Sequence, residues 1–420
     1  MKLQSNQQLV FGVIIGNIVE WYSFSLFAHF AIINDQFFPQ FSHSTQRILV
    51  TFVFAAGFVL RPIGGVLFGY LGDKFGRLHI FTASILVLLI PNLLIGVLPT
   101  YAQIGGIASV LLIVLRLMQG LSAGGELPGS IVFAVEHCDA KRRGLFTSIP
   151  IMGALLGMLL TTIVSQIMSL VFTPDEIAAG AWRIPFFLTT VLAIGGYFLR
   201  RGMLDTPKFL DLKHSGRLTK TPIRDTLQHW PLLIRTILVG GISGTCVYLF
   251  FIYITTFLNQ TVHIGVDDAN KISFFGLLAF AVLTPFIGWL SDKIGRKPII
   301  LCGIIGLVID AYPIYILMNL GDFEHMLVAE ALLGILGACV LAPLPALLAE
   351  NYPTRIRYTA IALSYNISFA LFGGFAPTVS VLLQEHFHSA RAPSLFVIVT
   401  GIIALLAMKK VKELYRHPLQ

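Results

Sequence analysis

Apolar segments long enough to cross a lipid bilayer follow one another along almost the whole 420-residue chain. A membrane helix needs about 20 such residues, and at that length the sequence predicts twelve helices. Charged residues make up only 12% of the chain, roughly half the usual share of a soluble protein, so we expect an all-α membrane protein rather than a soluble enzyme. The predicted helices 1 to 12 are 9–33, 45–71, 78–99, 103–136, 144–171, 181–201, 232–259, 271–291, 298–318, 327–350, 357–384 and 392–411.

A short link recurs at matching places in the two halves of the chain. Residues 69–77 read Gly-Tyr-Leu-Gly-Asp-Lys-Phe-Gly-Arg, and residues 288–297 read Gly-Trp-Leu-Ser-Asp-Lys-Ile-Gly-Arg-Lys. Predicted helices 4 and 10 also end alike, because Glu136 and Glu350 each precede a basic cluster. Such repeats indicate an internal duplication. The predicted domains are an N-terminal six-helix bundle at 1–201, a cytoplasmic linker at 202–231 and a C-terminal six-helix bundle at 232–420.

Most of the 29 lysines and arginines fall in links on one face of the predicted bundles, with Arg200 counted as the first of the linker. Links rich in Lys and Arg stay cytoplasmic, so we predict that both termini are cytoplasmic and that the protein crosses the inner, or plasma, membrane many times. This topology explains the net charge of +8 without a nucleic-acid partner. We expect a monomer embedded in the lipid bilayer, with no cofactor and no bound metal.

The link at 69–77 resembles the signature link of the major facilitator superfamily, and further stretches resemble its metabolite:proton symporter family. This resemblance implies a major facilitator fold in which two six-helix bundles rock around a central site. Family members carry proline and betaine, citrate, 2-oxoglutarate or shikimate; residues 366–368 look most like the proline/betaine branch, and 373–377 as much like the citrate branch. Most members have an aspartate where this chain has Ser23, so no proton role carries over to that position. The further stretches are 16–22, 61–65, 116–120, 124–126, 182–187, 204–207 and 352–358.

Three ionisable residues, Glu20, Arg61 and Glu126, fall at one depth of the first predicted bundle. At about 1.5 Å per residue, each lies roughly 15 Å from the cytoplasmic end of its helix. An ionisable group at that depth is costly and is therefore a candidate functional residue. Two acids and one base leave one carboxylate without a cation, and we predict that these residues carry the coupling proton, with Glu126 as the titrating acid. A purely structural Glu20–Arg61 pair remains the alternative.

Arg116 is predicted near the bilayer midplane, on a stripe of small and polar residues that continues through Gln119, Ala123, Glu126 and Ser130. Their spacing of three and four places them on one helix face, which can line a cavity. Arg116 suits a substrate carboxylate; bonding to backbone carbonyls is the alternative. Buried amides need polar partners, and aromatic rings can hold an ammonium group, although they also serve simply for packing. The other predicted substrate contacts are Gln119, Asn17, Tyr22, Tyr248 and Asn366.

The charged residues of the repeated links are predicted gates rather than substrate ligands. The resemblance implies that Asp73, Lys74 and Arg77 latch the two bundles together on the cytoplasmic side, and Asp292 and Arg296 occupy the matching places in the second link. We expect an exposed pair of modest strength. Glu330 is predicted at the outer start of helix 10, where the helix dipole suits an acid.

These features predict a proton-coupled secondary transporter that imports a small carboxylate-bearing solute by alternating access. A zwitterion such as proline or betaine is slightly favoured. The alternatives are a di- or tricarboxylate symporter, an uncoupled uniporter or exchanger because of Ser23, and, less expected, a drug exporter. No phosphate-binding loop pattern occurs, which disfavours an ATP-driven pump, and the sequence shows no catalytic pattern of an enzyme.

Overall fold

The computed structural model describes residues 6–29, 36–40, 57 and 60–419. Ten helices in this part of the chain are long and apolar enough to cross a membrane, and Pro393–Met408 is a shorter apolar helix. The predicted all-α membrane fold is confirmed, while the first part of predicted helix 2 lies outside the described residues. The long helices, α1 to α12, are Asn6–His29, Arg61–Phe75, Arg77–Val97, Gly106–His137, Arg143–Val171, Ile184–Arg200, Trp230–Val247, Val266–Ile294, Arg296–Met318, Phe323–Leu341, Arg357–Ser368 and Pro393–Met408.

The two repeated links are shorter than the sequence pattern suggests. Helix α2 runs on to Phe75 and α8 to Ile294, so a single glycine separates each from the next helix. Gly76 and Gly295 have φ angles of 125° and 103°, in a region that strains residues with a side chain. Each glycine therefore ends one helix and lets the next begin at once.

Three of the predicted continuous helices are interrupted. Five-residue π-helical turns follow α7 at Tyr248–Ile252 and α11 at Phe369–Gly373, and α10 breaks at Pro343 before resuming as Leu344–Asn351. The first two interruptions touch, because a Cβ on Gly373 would lie 2.5 Å from the Tyr248 ring. Helical bulges of this kind are frequent at functional sites.

The two halves of the chain meet along two seams, α5 against α8 and α2 against α11. A Cβ on Gly144 would lie 2.4 Å from the carbonyl oxygen of Gly288, and one on Gly69 would lie 2.7 Å from the Cα of Thr359. Glycine lets membrane helices approach this closely. The helices α3, α6, α9 and α12 pack mainly within their own halves and present apolar side chains at the surface.

Candidate functional site

Asp73 joins the two halves at the link face, the end of the bundle that holds Gly76 and Gly295. Its carboxylate accepts hydrogen bonds from the backbone N–H of Thr359 (2.8 Å) and from the Thr359 hydroxyl (2.6 Å), at the start of α11. The guanidinium of Arg77 bonds the same carboxylate. An acid from the first half thus binds the first backbone N–H groups of a helix from the second half, where the helix dipole favours negative charge.

Glu136, at the end of α4, extends this network. Its Oε1 accepts a bond from Nη1 of Arg357 (2.8 Å), and its Oε2 accepts one from the hydroxyl of Thr206 in the linker (2.5 Å). Arg77 reaches the second half as well, because its Nη2 donates to the carbonyl oxygen of Thr354 (2.6 Å). The network therefore ties together the first half, the linker and the second half.

A matching network surrounds Asp292, at the end of α8. Its two oxygens accept bonds from the backbone N–H groups of Gly144 (2.8 Å) and Leu145 (2.9 Å), at the start of α5. Nη1 of Arg296 lies 2.7 Å from Oδ1 of Asp292, and Nη2 of Arg296 lies 3.1 Å from Oε1 of Glu350. The duplication seen in the sequence is thus also a duplication of contacts.

The expectation of an exposed, modest latch is wrong. Asp73 and Arg77 are each only 1% exposed, since α11 covers them. Breaking one partner of such a buried pair costs roughly 3–5 kcal/mol. Lys74 differs from the other four predicted gates, because the hydrogen bond described for it stays within its own helix. It donates to the hydroxyl of Tyr70 (2.8 Å).

Glu20 and Arg61, which the sequence places at one depth, form an ion pair. Nη2 of Arg61 donates to Oε1 of Glu20 (2.9 Å), and both side chains are buried. The rings of Trp21 and Phe24 lie 5.4 and 5.7 Å from the Arg61 guanidinium carbon. The second oxygen of Glu20, Oε2, accepts no bond from the described residues.

Glu126 does not lack a cation, so that premise of the proton prediction is wrong. Arg200, the last residue of α6, is buried rather than part of the linker, and its guanidinium bonds both carboxylate oxygens of Glu126. Ser84 on α3 also donates to Glu126 (2.5 Å). Gly16 makes room for this pair, because a Cβ there would lie 1.9 Å from Oε1 of Glu126.

The polar stripe of α4 makes its described hydrogen bonds inside the first bundle, while Arg116 also interacts electrostatically with the phenol of Tyr248 from the second half. Nη1 of Arg116 donates to Oε1 of Gln119 (2.7 Å), and Nε2 of Gln119 donates to Oδ1 of Asn92 on α3 (2.8 Å). The guanidinium carbon of Arg116 lies 4.8 Å from the Phe24 ring and 4.3 Å from the Phe27 ring. Bonds of this kind lower the cost of burying polar groups in a dry bundle.

The remaining predicted substrate residues have different surroundings. Asn17 donates to the hydroxyl of Ser130 (3.0 Å), and Tyr22 donates to the carbonyl oxygen of Pro185 (3.1 Å), both within the first bundle. Asn366 crosses between the halves, since its amide donates to the carbonyl oxygen of Gly124 (2.8 Å). The buried amide oxygens Oδ1 of Asn17 and Asn366 accept no bond from described residues.

A polar centre forms where the first half meets the interrupted helices of the second. The phenol of Tyr248 interacts electrostatically with Arg61, Glu20 and Arg116, and the phenol of Tyr365 interacts with Arg61 and Glu20. The adjoining cavity has a volume of about 10 Å³, room for roughly one water molecule. Its described lining comprises Trp21, Leu127, Ile151, Ala154, Leu155, Met158, Val247, Leu341 and Tyr365.

Sequence reasoning missed several residues of these networks, notably Arg200, Ser84, Thr359 and Tyr365. Ser84 and Asn92 stand eight positions apart in the apolar part of α3, which places them on one face and could have indicated a polar partner helix. Arg200 carried no such indication, because an arginine at the end of an apolar span usually belongs to a loop.

Comparison with known proteins places the chain in a family. Residues 9–226 match the family described as sugar (and other) transporter, and residues 236–418 match the major facilitator superfamily. The chain is 30% identical to the proline/betaine transporter of Salmonella typhimurium, over 97% of this chain and 83% of the relative. It is 31% identical to the glycine betaine/proline/ectoine/pipecolic acid transporter OusA of Dickeya dadantii, over 97% of this chain and 83% of that relative.

Solved structures share the fold. The proton:xylose symporter XylE bound to 6-bromo-6-deoxy-D-glucose superposes with a TM-score of 0.83 at 17% identity, covering 98% of this chain and 97% of that one. An inward open conformation of the Escherichia coli xylose transporter XylE superposes with a TM-score of 0.70 at 18% identity, covering 96% of each chain. The chain is therefore a multi-pass membrane transporter of the major facilitator superfamily, as its motifs indicated, and not an enzyme.

Proposed function

We propose that this transporter imports a small zwitterionic solute of the proline or betaine kind together with a proton, by alternating access of residues 1–201 against residues 232–420. The observation that carries the proposal is the charge balance of the first bundle. Away from the link face, its buried described residues include three arginines but only two glutamates. A substrate carboxylate would balance the surplus positive charge in this poorly solvated region. The three arginines and two glutamates of this balance are Arg61, Arg116, Arg200, Glu20 and Glu126.

Arg61 and Arg116 are the proposed ligands of the substrate carboxylate. Both interact electrostatically with the phenol of Tyr248, and their guanidinium carbons lie 5.7 and 4.8 Å from the Phe24 ring. Trp21 lines the adjoining cavity and would hold the substrate ammonium by cation–π attraction. Relatives named for proline, betaine and ectoine support this choice.

The other predicted contacts take supporting roles in this proposal. Tyr248 and Asn366 belong to the second half and would close over the bound solute. Gln119, Asn17 and Tyr22 fix the neighbouring helices through their bonds inside the first bundle. Such supporting bonds hold direct ligands in a productive geometry.

Glu20 is the proposed proton carrier, with Arg61 as its partner and Glu126 in a supporting role. Glu126 has both oxygens bonded to Arg200, whereas Glu20 bonds Arg61 through one oxygen. A proton on Glu20 would release Arg61 for the substrate carboxylate. Binding of the proton and of the solute would then favour each other.

The link face is proposed to be cytoplasmic, in the inner membrane, because the basic residues concentrate there. Asp73, Arg77, Asp292 and Arg296 would gate it, with Lys74 contributing only to the local charge. These contacts must break for the solute to leave toward the cytoplasm. Both seams lie within one chain, so we propose that the protein works as a monomer.

Uptake into proteoliposomes tests the proposed function. Labelled proline or glycine betaine should accumulate only when an imposed pH gradient makes the lumen alkaline. Uptake that ignores the gradient would indicate a uniporter or exchanger instead. Two arginines at the centre could also hold two carboxylates, so citrate and 2-oxoglutarate belong in the same assay. Accumulation of these alone would favour the di- or tricarboxylate alternative.

A further inference from the structure

Glu330, on α10, is a buried carboxylate with no ionic partner among the described residues. Its side chain has no solvent exposure, and neither of its oxygens accepts a hydrogen bond from them. Every other buried acid of the described chain lies beside an arginine. The expectation that Glu330 begins the helix is wrong, because α10 begins at Phe323, about two turns earlier.

The surroundings of Glu330 are neutral. A Cβ on Gly276 of α8 would lie 2.1 Å from the Cγ of Glu330, so bare backbone faces the acid on that side. The phenol of Tyr315, on α9, interacts electrostatically with Glu330 and with Tyr253. None of the ion pairs among the described residues includes Glu330.

We propose that Glu330 is a proton-binding site in the second bundle, occupied while the link face is closed. An ionised carboxylate in dry helix packing without a cation is far costlier than the neutral acid. The neutral acid is compatible with the close contact to Gly276 and with an uncharged phenol. The site differs from Glu20, which lies in the other bundle beside Arg61, and it does not depend on the identity of the solute.

Infrared spectroscopy of the reconstituted protein tests this directly. At a pH where free glutamate is ionised, the carbonyl stretch of one protonated carboxylic acid should be present in the wild type and absent from Glu330→Gln. Glu330→Asp keeps an acid at the site and should show the band at a shifted frequency, which covers the case in which the glutamine variant does not fold. If Glu330→Gln instead lost a band of an ionised carboxylate, Glu330 would be ionised in the wild type and the proposal would be overturned.

Thermal unfolding in detergent gives a second readout. Glu330→Gln should have the same melting temperature as the wild type at acidic pH and a higher one at alkaline pH. Only the wild type has a buried acid whose proton is released on unfolding, and alkaline pH favours that release. Glu324→Gln, exposed on the first turn of the same helix, is the control and should show no such pH-dependent difference. Equal destabilisation of Glu330→Gln at every pH would indicate a cationic partner, and stabilisation of the wild type by sodium ions would indicate a metal cation. Either result would overturn the proposal, and neither bears on solute uptake.

Discussion

Gly16 determines whether the ion pair between Glu126 and Arg200 can form. A Cβ at this position would overlap both partners, at 1.9 Å from Oε1 of Glu126 and 2.1 Å from Nη2 of Arg200. We expect Gly16→Ala to destabilise the protein by roughly 1–3 kcal/mol, measured as a lower melting temperature in detergent. Gly195→Ala is the matched control, because nothing lies within 4 Å of its added Cβ. Equal melting of the two variants would contradict this account.

Arg116 should be tested by a substitution that keeps its charge. Lysine cannot reproduce the planar fork of a guanidinium, so we expect Arg116→Lys to bind the solute at least tenfold more weakly, about 1.4 kcal/mol. A ligand-induced thermal shift measures this. Arg200→Lys is the control, since its bonds to Glu126 and Phe81 are structural, and it should lower the melting temperature without the ligand instead. Wild-type affinity in Arg116→Lys would return that residue to a structural role.

Counting residues along helices predicted some of these contacts and missed others. It placed Glu20 and Arg61 at one depth, and the structure pairs them. It failed for Arg200, because a count stops at the helix end while a long side chain reaches back into the bundle. Depth alone also could not show that the polar face of α4 turns toward α3, because the rotation of a helix depends on the hydrogen-bonding partners on neighbouring helices.

The helix ends at the link face are the proposed latch between the halves. Asp73 caps α11 and Asp292 caps α5, so opening this face breaks buried bonds to two helix starts. Removing one partner costs roughly 3–5 kcal/mol, close to the roughly 5.5 kcal/mol that inverts a 1:99 equilibrium. We therefore expect Asp73→Asn and Arg77→Ala to shift the resting population strongly toward the state open at the link face.

Cysteine labelling can measure that shift. Ala362 is fully buried at the α2–α11 seam, so Ala362→Cys should react with a maleimide faster in the latch variants than in the wild-type background. The native Cys138 should react slowly, because burial raises the pKa of its thiol to about 12. Asp139→Asn removes an exposed acid nearby and should leave the labelling rate unchanged. Unchanged labelling in both latch variants would refute the gating role.

Most of the helices were predictable from apolar length, but the interruptions were not. The π-helical turns at Tyr248–Ile252 and Phe369–Gly373 lie in segments without proline, so nothing local predicts them. The two turns meet where Gly373 packs against the Tyr248 ring, a contact between distant parts of the chain. The interruptions place Tyr248 and Tyr365 beside the charged centre, so the structure was needed to locate it.

The molecule as a whole combines a duplicated latch with a centre that is not duplicated. The charges beside the cavity come from the first half, whereas the second half supplies phenols and its own isolated acid, Glu330. Alternating access needs both halves to move, but this asymmetry assigns different tasks to them. In the proposed mechanism, the solute and the coupling proton bind to the first half, and the second half closes over them.

Coupling between proton and solute is therefore expected to depend on Glu20. Glu20→Gln cannot change its charge, so it should abolish uphill uptake driven by a pH gradient but retain counterflow exchange, which needs no net proton movement. Glu126→Gln should mainly lose stability, because it leaves Arg200 without its carboxylate. Ser23 lies one turn from Glu20 and bonds its backbone oxygen (2.9 Å), so Ser23→Asp adds an acid beside the centre and should restore some coupling to Glu20→Gln. Proteoliposome uptake with and without the gradient measures all three. Uphill uptake by Glu20→Gln would show that another group carries the proton. Loss of uphill uptake in a well-folded Glu126→Gln would indicate that Glu126 is the coupling acid.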